Sequence, residues 1–235
     1  MAQPWKSIEK ISTDEGILEL RQRGERDFLI TIGSQVLMNS LANRSEVALG
    51  QLGCRHLKER KNPQVLVGGL GMGFTLRAVL DTLPYTAHVV VAELNPTVHE
   101  WCRGPLSALT GKTLDDPRVT VEICDVASRI RRSAVDGGES RFDAIILDLY
   151  RGPHAKTDQN DDLLYGTRAI ENMRAALKPC GAVAVWGETY DVGFDRRLQS
   201  AGFTVTTTRP GRGGLRHVLF LAQQKQSYKT GKHAY

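Results

Sequence analysis

Residues 65–80 read VLVGGLGMGFTLRAVL, and this stretch decides the fold. Val65-Leu66-Val67 is a short continuous apolar run, as expected of a strand buried on both faces. The six residues Gly68-Gly69-Leu70-Gly71-Met72-Gly73 hold four glycines. Glycines there let the backbone turn tightly and approach a ligand without Cβ interference. Leu76, Val79, Leu80 and Leu83 follow at i, i+3, i+4 and i+7, which predicts a helix with one apolar face. In that order, strand, glycine turn and helix aim the helix's unpaired N–H groups beyond the strand end.

Outward from this unit the alternation repeats. Residues 88–92 predict a second strand, and Pro96 opens a second helix. Residues 119–123 and 142–147 predict a third and a fourth strand. Ile170, Met173 and Leu177 mark a helix ended by Lys178-Pro179. Residues 182–186 predict a fifth strand and 191–201 another helix. The last two strands, 203–208 and 215–222, are joined by a glycine-rich loop and are therefore expected to pair antiparallel. The fold class expected is α/β, a doubly wound, mostly parallel Rossmann-like sheet of seven strands with a small N-terminal β-appendage. In that appendage, residues 17–20, 28–32 and 35–38 read as short strands, with turns at Gly24 and Gly33-Ser34. Ser45 is expected to cap a lead-in helix running to about Arg60. The organisation expected is appendage and lead-in helix over 1–60, Rossmann-type domain over 61–224 and a basic flexible tail over 225–235.

At 235 residues, 41% apolar and 24% charged, the chain has the composition of a soluble globular protein. No apolar run approaches the roughly 18–20 residues that cross a bilayer. The first ten residues hold no apolar core between basic residues, so no signal peptide is expected. Cys54, Cys102, Cys124 and Cys180 are far apart, without a C-x-x-C pair, which argues against a disulfide framework and a zinc site. A cytoplasmic protein with reduced thiols and no metal is the expectation, with Cys124 and Cys180 buried beside strands. Of the net charge of +5, Lys225, Lys229 and Lys232 in the tail carry three, which leaves the body close to neutral. Arg129, Arg131 and Arg132 read as a solvated helix face, and Arg209, Arg212 and Arg216 as a loop. Nucleic acid is thus an unlikely partner on composition.

Three acids stand where predicted parallel strands end, which is where ligands of open α/β sheets bind. Starting at Gly69 the loop follows G-x-G-x-G through Gly71 and Gly73, with Phe74 where a dinucleotide site needs glycine. That spacing suits S-adenosylmethionine better than NAD. Glu93, at the end of the second strand, is placed to accept both hydroxyl hydrogens of a ribose. Asp125, after the third, is placed to accept from an adenine amino group, to cap the helix beginning near Val126, or to do both. Asp148, after the fourth, faces the methionine side of such a nucleoside and an incoming acceptor. It is the candidate to orient an amine or take its proton. Asp143, at the start of the same strand, is expected on the opposite edge as a structural residue.

With residues 92–98 (AELNPTV), 114–119 (LDDPRV), 142–153 (FDAIILDLYRGP) and Leu177-Lys178-Pro179 added to the glycine stretch, the chain resembles the spermidine synthase family of aminopropyltransferases. The resemblance runs from about Ile17 to Ala222. It implies a small N-terminal β-domain before an adenosylmethionine-type core, with Glu93 on ribose, Asp125 on adenine and Asp148 on the attacking amine. It also implies a homodimer. The family's loop acid, which holds the ammonium of decarboxylated S-adenosylmethionine, is replaced by Met72. Its second acceptor-binding aspartate is replaced by Arg151, in a loop one residue shorter. Its N-terminal glutamine and tyrosine have no counterpart; Val36-Leu37-Met38-Asn39-Ser40 stands there instead.

A doubly cationic acceptor needs paired anions when desolvated, so Met72 and Arg151 tilt the expectation to methyl transfer from S-adenosylmethionine to an amine or another small nucleophile. Aminopropyl transfer from the decarboxylated form is the alternative, and a non-catalytic nucleoside- or RNA-binding protein the third reading. Tyr150 is a further catalytic candidate. His154, Tyr165 and Glu188 are candidates to line the acceptor site, while Trp186 reads as core. The loop 209–214 reads as a long hairpin turn.

Overall fold

The computed structural model describes residues 3–154, 162–210 and 217–225. The tail beyond 225, Arg212, Arg216 and residues 211–214 of the last hairpin loop lie outside these. The chain opens with four antiparallel strands, β1 (Lys6–Thr13), β2 (Gly16–Arg23), β3 (Asp27–Ile32) and β4 (Gln35–Asn39), paired in chain order. Sequence pattern finds the last three. The strand β1 escapes it because KSIEKIST faces solvent along most of its length, leaving no alternation to read. Leu18 and Leu20 of β2 and Phe28 and Ile30 of β3 join one apolar cluster with Leu49, Val65, Val67 and Met72. The appendage therefore shares a core with the larger sheet.

The lead-in helix α1 (Arg44–Cys54) is shorter than expected and passes into a single 3-10 turn at Arg55–Leu57. Ser45 lies inside it, not at the cap, because its hydroxyl is engaged sideways with Glu46 and His217. Two glycines let this helix lie flush against its neighbours. A Cβ on Gly50 would stand 2.7 Å from the Thr75 carbonyl oxygen, and one on Gly53 2.4 Å from Ile146 Cδ1. By its contacts, α1 belongs to the layer over the large sheet.

The remaining elements are β5 (Gln64–Gly68), α2 (Phe74–Thr82), β6 (His88–Glu93), α3 (Pro96–Arg103), β7 (Val119–Ile123), α4 (Val126–Asp136), β8 (Phe142–Leu147), α5 (Thr167–Ala175), β9 (Leu177–Gly187), α6 (Val192–Ser200), β10 (Phe203–Thr208) and β11 (Val218–Gln224). They form a seven-stranded sheet in the order β10-β11-β9-β8-β5-β6-β7. Strands β9, β8, β5, β6 and β7 pair parallel, while β11 is antiparallel to both β9 and β10. This is the doubly wound, mostly parallel sheet read from the sequence.

Two local expectations change. The helix expected to stop at Pro179 ends at Ala175, and Leu177 already pairs with Phe142 as the start of β9. Strand β9 absorbs its proline at an irregular beginning, where the register shifts and Cys180 takes φ 64°. Cys180 is exposed and Cys124 partly so; the buried thiols are Cys54 and Cys102, both pushed up to about 12 by burial. The arginines of α4 are used locally, Arg129 and Arg132 on Glu122 and Arg131 on Ser128. No helix among the described residues is long and apolar enough to cross a membrane.

Candidate functional site

Chain order reverses between β5 and β8, so their carboxyl ends open a crevice at the sheet's switch point. The loop after β5 turns there through Gly69, Gly71 and Gly73 at φ 87°, 52° and 83°. At Gly69 any side chain is excluded twice over: the conformation is left-handed, and a Cβ would meet the Asp148 carbonyl oxygen at 2.4 Å. The Asp148 N–H in turn donates to the Gly68 carbonyl at 2.9 Å. Glycine loop and Asp148 are thus locked side by side.

Glu93 ends β6 and is buried. Its two oxygens accept from the Leu70 and Asn95 N–H groups, both at 2.8 Å, so it fixes the glycine loop from below. Burial pushes its pKa up against these backbone bonds. A carboxylate has about four acceptor sites, which leaves capacity for a ribose. Asp125 is exposed at the end of β7 and caps α4 by accepting from the Ser128 N–H at 2.7 Å. The capping alternative is therefore realised, on an exposed residue.

Asp148, partly buried at the end of β8, accepts from the Thr75 hydroxyl at 2.5 Å. Desolvation, with the charge of Glu46 second, pushes its pKa up to about 7 against that hydrogen bond. Thr75 Oγ1 also lies 3.2 Å from the Glu46 carbonyl oxygen. One hydroxyl proton faces two acceptors, so a proton on Asp148 would complete both contacts. Among the described residues no lysine or arginine forms an ion pair with Asp148 or Glu46.

The remaining candidates are placed differently from expectation. The Met72 side chain is fully buried in the core, and its N–H meets Met38 Sδ at 3.1 Å. Its thioether therefore does not face the open side of the loop. Arg151 points to Glu15 in the β1–β2 turn, at 3.7 Å, and lies over the Tyr150 ring. Tyr150 donates its hydroxyl to the same Glu15, and burial with that bond pushes its pKa up to about 12. It ties the acceptor-side loop to the N-terminal sheet. Tyr165 does reach back: its buried hydroxyl donates to the Arg151 carbonyl at 2.8 Å. Burial raises its pKa, and the charges of Asp162 and Asp148 add to that. Glu188 is exposed just past β9, beside the close crossing of Gly152 over Gly187. His154 is exposed at the end of the described loop. Trp186 is partly buried and meets His217 edge-on, with ring centroids 4.9 Å apart. Among the described residues no group of three or more His, Cys, Asp or Glu stands where it could hold a metal.

Sequence reasoning missed Glu46, Thr75, Met38 and Glu15 as neighbours of the site. Thr75 alone had a local signal, two residues past the last loop glycine. The others arrive from α1 and the N-terminal sheet through tertiary packing.

No family model matches the chain. Three curated relatives, each named polyamine aminopropyltransferase, are 36% identical over 148 residues, 60% of this chain. They come from Mycobacterium tuberculosis (strains CDC 1551 / Oshkosh and ATCC 25618 / H37Rv) and Mycobacterium bovis (strain ATCC BAA-935 / AF2122/97). The match spans 27% of the length of those relatives. Among solved structures, spermidine synthase from Thermotoga maritima superposes with a TM-score of 0.69 at 18% identity, covering 94% of this chain and 73% of that one. A spermidine synthase in complex with the transition state analogue AdoDATO gives 0.71 at 20% identity, covering 94% and 74%. The fold is that of the spermidine synthases, and the resemblance read from the sequence holds in both comparisons.

Proposed function

We propose that the chain is an aminopropyltransferase acting on decarboxylated S-adenosylmethionine and a primary amine. Methyl transfer, the first expectation, loses its support. The curated relatives are named for aminopropyl transfer. Of the two residues that favoured methyl transfer, Arg151 has Glu15 beside it, while Met72, buried in the core, still leaves the loop without an acid. The observation that carries the proposal is Asp148, a carboxyl raised to about 7 beside the glycine loop and a second acid. A partly desolvated corner with two acids, one of them poised to give up or take a proton near neutrality, fits an amine acceptor.

The nucleoside half of the donor fits the site: Glu93 would take the ribose and Asp125 the adenine, at the ends of the paired strands β6 and β7. The donor supplies an electrophilic carbon next to its sulfonium. The amine nitrogen forms the new N–C bond as the C–S bond breaks, and the electron pair of that bond leaves with sulfur as a neutral thioether. One proton leaves the nitrogen, and Asp148 receives it before passing it to solvent. An alkylammonium titrates near 10.4 and a free aspartate near 3.9, so at about 7 Asp148 roughly halves the gap that this transfer must cross. Orientation and this one proton are the protein's tasks.

Calorimetric titration with the intact and decarboxylated nucleosides tests the reading. Tighter binding of the decarboxylated form is expected. Tighter binding of the intact form would return the protein to methyl transfer. Heat from neither in folded protein would leave a fold without this activity.

A further inference from the structure

The residue that sequence pattern could not supply is Glu46, on the first turn of α1. Its carboxylate is buried, and Oε2 accepts from the Ser45 hydroxyl at 2.7 Å. Because Ser45 spends its one proton there, the His217 nitrogen 3.0 Å from Ser45 Oγ must be the donor in that contact. A directed chain results: His217 Nδ1–H to Ser45 Oγ–H to Glu46. His217 is itself steadied by its edge-on contact with Trp186. Helix α1 is drawn onto α2 at Gly50, which brings the Glu46 backbone to the same Thr75 hydroxyl that bonds Asp148. The Ser45 hydroxyl holds the Glu46 carboxylate and the Thr75 hydroxyl lies between the Glu46 backbone carbonyl and Asp148, yet no ion pair with lysine or arginine neutralises Glu46 among the described residues.

We infer that Glu46 is the second carboxylate of the acceptor site, pairing with Asp148 around the acceptor's incoming ammonium, and that Ser45 and His217 are its positioning residues. The acid that the resemblance leads one to expect three residues after Asp148 is Arg151, occupied with Glu15. The charge requirement is unchanged: a desolvated ammonium next to one carboxylate is stabilised by a second. In this chain the second comes from α1. Glu46 holds the ammonium in place while Asp148 takes one of its protons and so frees the nitrogen lone pair for attack; Glu46 therefore acts on acceptor affinity more than on the chemical step.

This inference rests on the aminopropyl reading, and its test separates the two. The full chain would be assayed with decarboxylated S-adenosylmethionine and 1,4-diaminobutane, as wild type, Glu46→Gln and Ser45→Ala, alongside calorimetry of the nucleoside. Glu46→Gln is expected to raise KM for the diamine tenfold or more, to change kcat less than threefold and to leave nucleoside affinity within twofold. Ser45→Ala, which keeps the carboxylate but frees it, is expected to shift KM the same way by a smaller factor; it also serves if Glu46→Gln fails to fold. Unchanged KM in both variants of an active enzyme would overturn the role of Glu46 alone. Weakened nucleoside binding with normal diamine KM would overturn it too, assigning Glu46 to the donor. An inactive wild type that binds no nucleoside would remove the aminopropyl reading first, and this inference with it.

Discussion

Asp143 and Asp148 stand at the two ends of one strand, and their surroundings are opposite. Asp143 is buried among donors: the Gln64 N–H at 2.7 Å, Lys178 Nζ at 3.0 Å and Arg60 Nε at 2.7 Å. The Asp148 carboxyl has the Thr75 hydroxyl and, nearby, the charge of Glu46. Residue type and strand are the same, so the difference lies in what other elements bring. At the amino edge, β9 and the segment after α1 bring cations; at the carboxyl edge, α1 and α2 bring a hydroxyl and another acid. A carboxylate whose charge the fold matches is architecture. One left unmatched is available to a ligand or a proton.

The contrast breaks most visibly in rates. Asp148→Asn is expected to slow transfer by about 10²–10⁴-fold, the usual worth of one positioned proton acceptor. Nucleoside affinity by calorimetry should hardly move. Full-rate turnover in that variant would show that Asp148 does not handle the proton. Asp143→Asn should do the reverse. Denaturant unfolding should report a loss of about 2–3 kcal/mol, because two cations and a backbone N–H lose their anion. The rate per folded molecule should stay at the wild-type value; a selective loss of rate would erase the distinction between the two edges.

Glu93 sharpens the comparison as an intermediate case, buried and satisfied by two backbone N–H groups yet facing the crevice. Glu93→Ala should weaken nucleoside binding about tenfold, roughly the worth of a hydrogen bond to a charged group. Unchanged affinity would move Glu93 to the architectural side.

The smallest effect is on stability against pH. The folded pKa of Asp148 lies above its unfolded value, so the folded state holds more protons between about pH 4 and 7. The stability this group contributes is complete below about pH 4 and is lost as the pH rises through 7. Unfolding midpoints of wild type minus Asp148→Asn should therefore fall across that window. A flat difference would mean that Asp148 is not held protonated.

What could be read from the sequence follows from locality. The residues 65–80 unit is self-contained: apolar run, glycines and 3.6-residue period all lie within it, and β5, the loop and α2 form where expected. That Glu93, Asp125 and Asp148 lie at strand ends was legible because the strands themselves carry a local apolar pattern. The strand β1 was not, since an exposed strand carries no apolar alternation. The direction of the Met72 side chain was not legible, because a position in a loop does not tell which way its side chain turns; the core beneath the loop took it. Arg151 looked like a repulsive cation because its partner, Glu15, lies on a turn far away in sequence. Glu46 was invisible for the same reason, reaching Asp148 only through the packing of α1 on α2 at Gly50.

The most direct measurement is mass spectrometry of the products formed from decarboxylated S-adenosylmethionine and 1,4-diaminobutane by wild type, Asp148→Asn and Asp143→Asn at equal folded concentration. A diamine carrying one added aminopropyl group is expected from wild type and Asp143→Asn, and little or none from Asp148→Asn. An unmodified diamine in all three, or equal product from Asp148→Asn, would contradict this expectation.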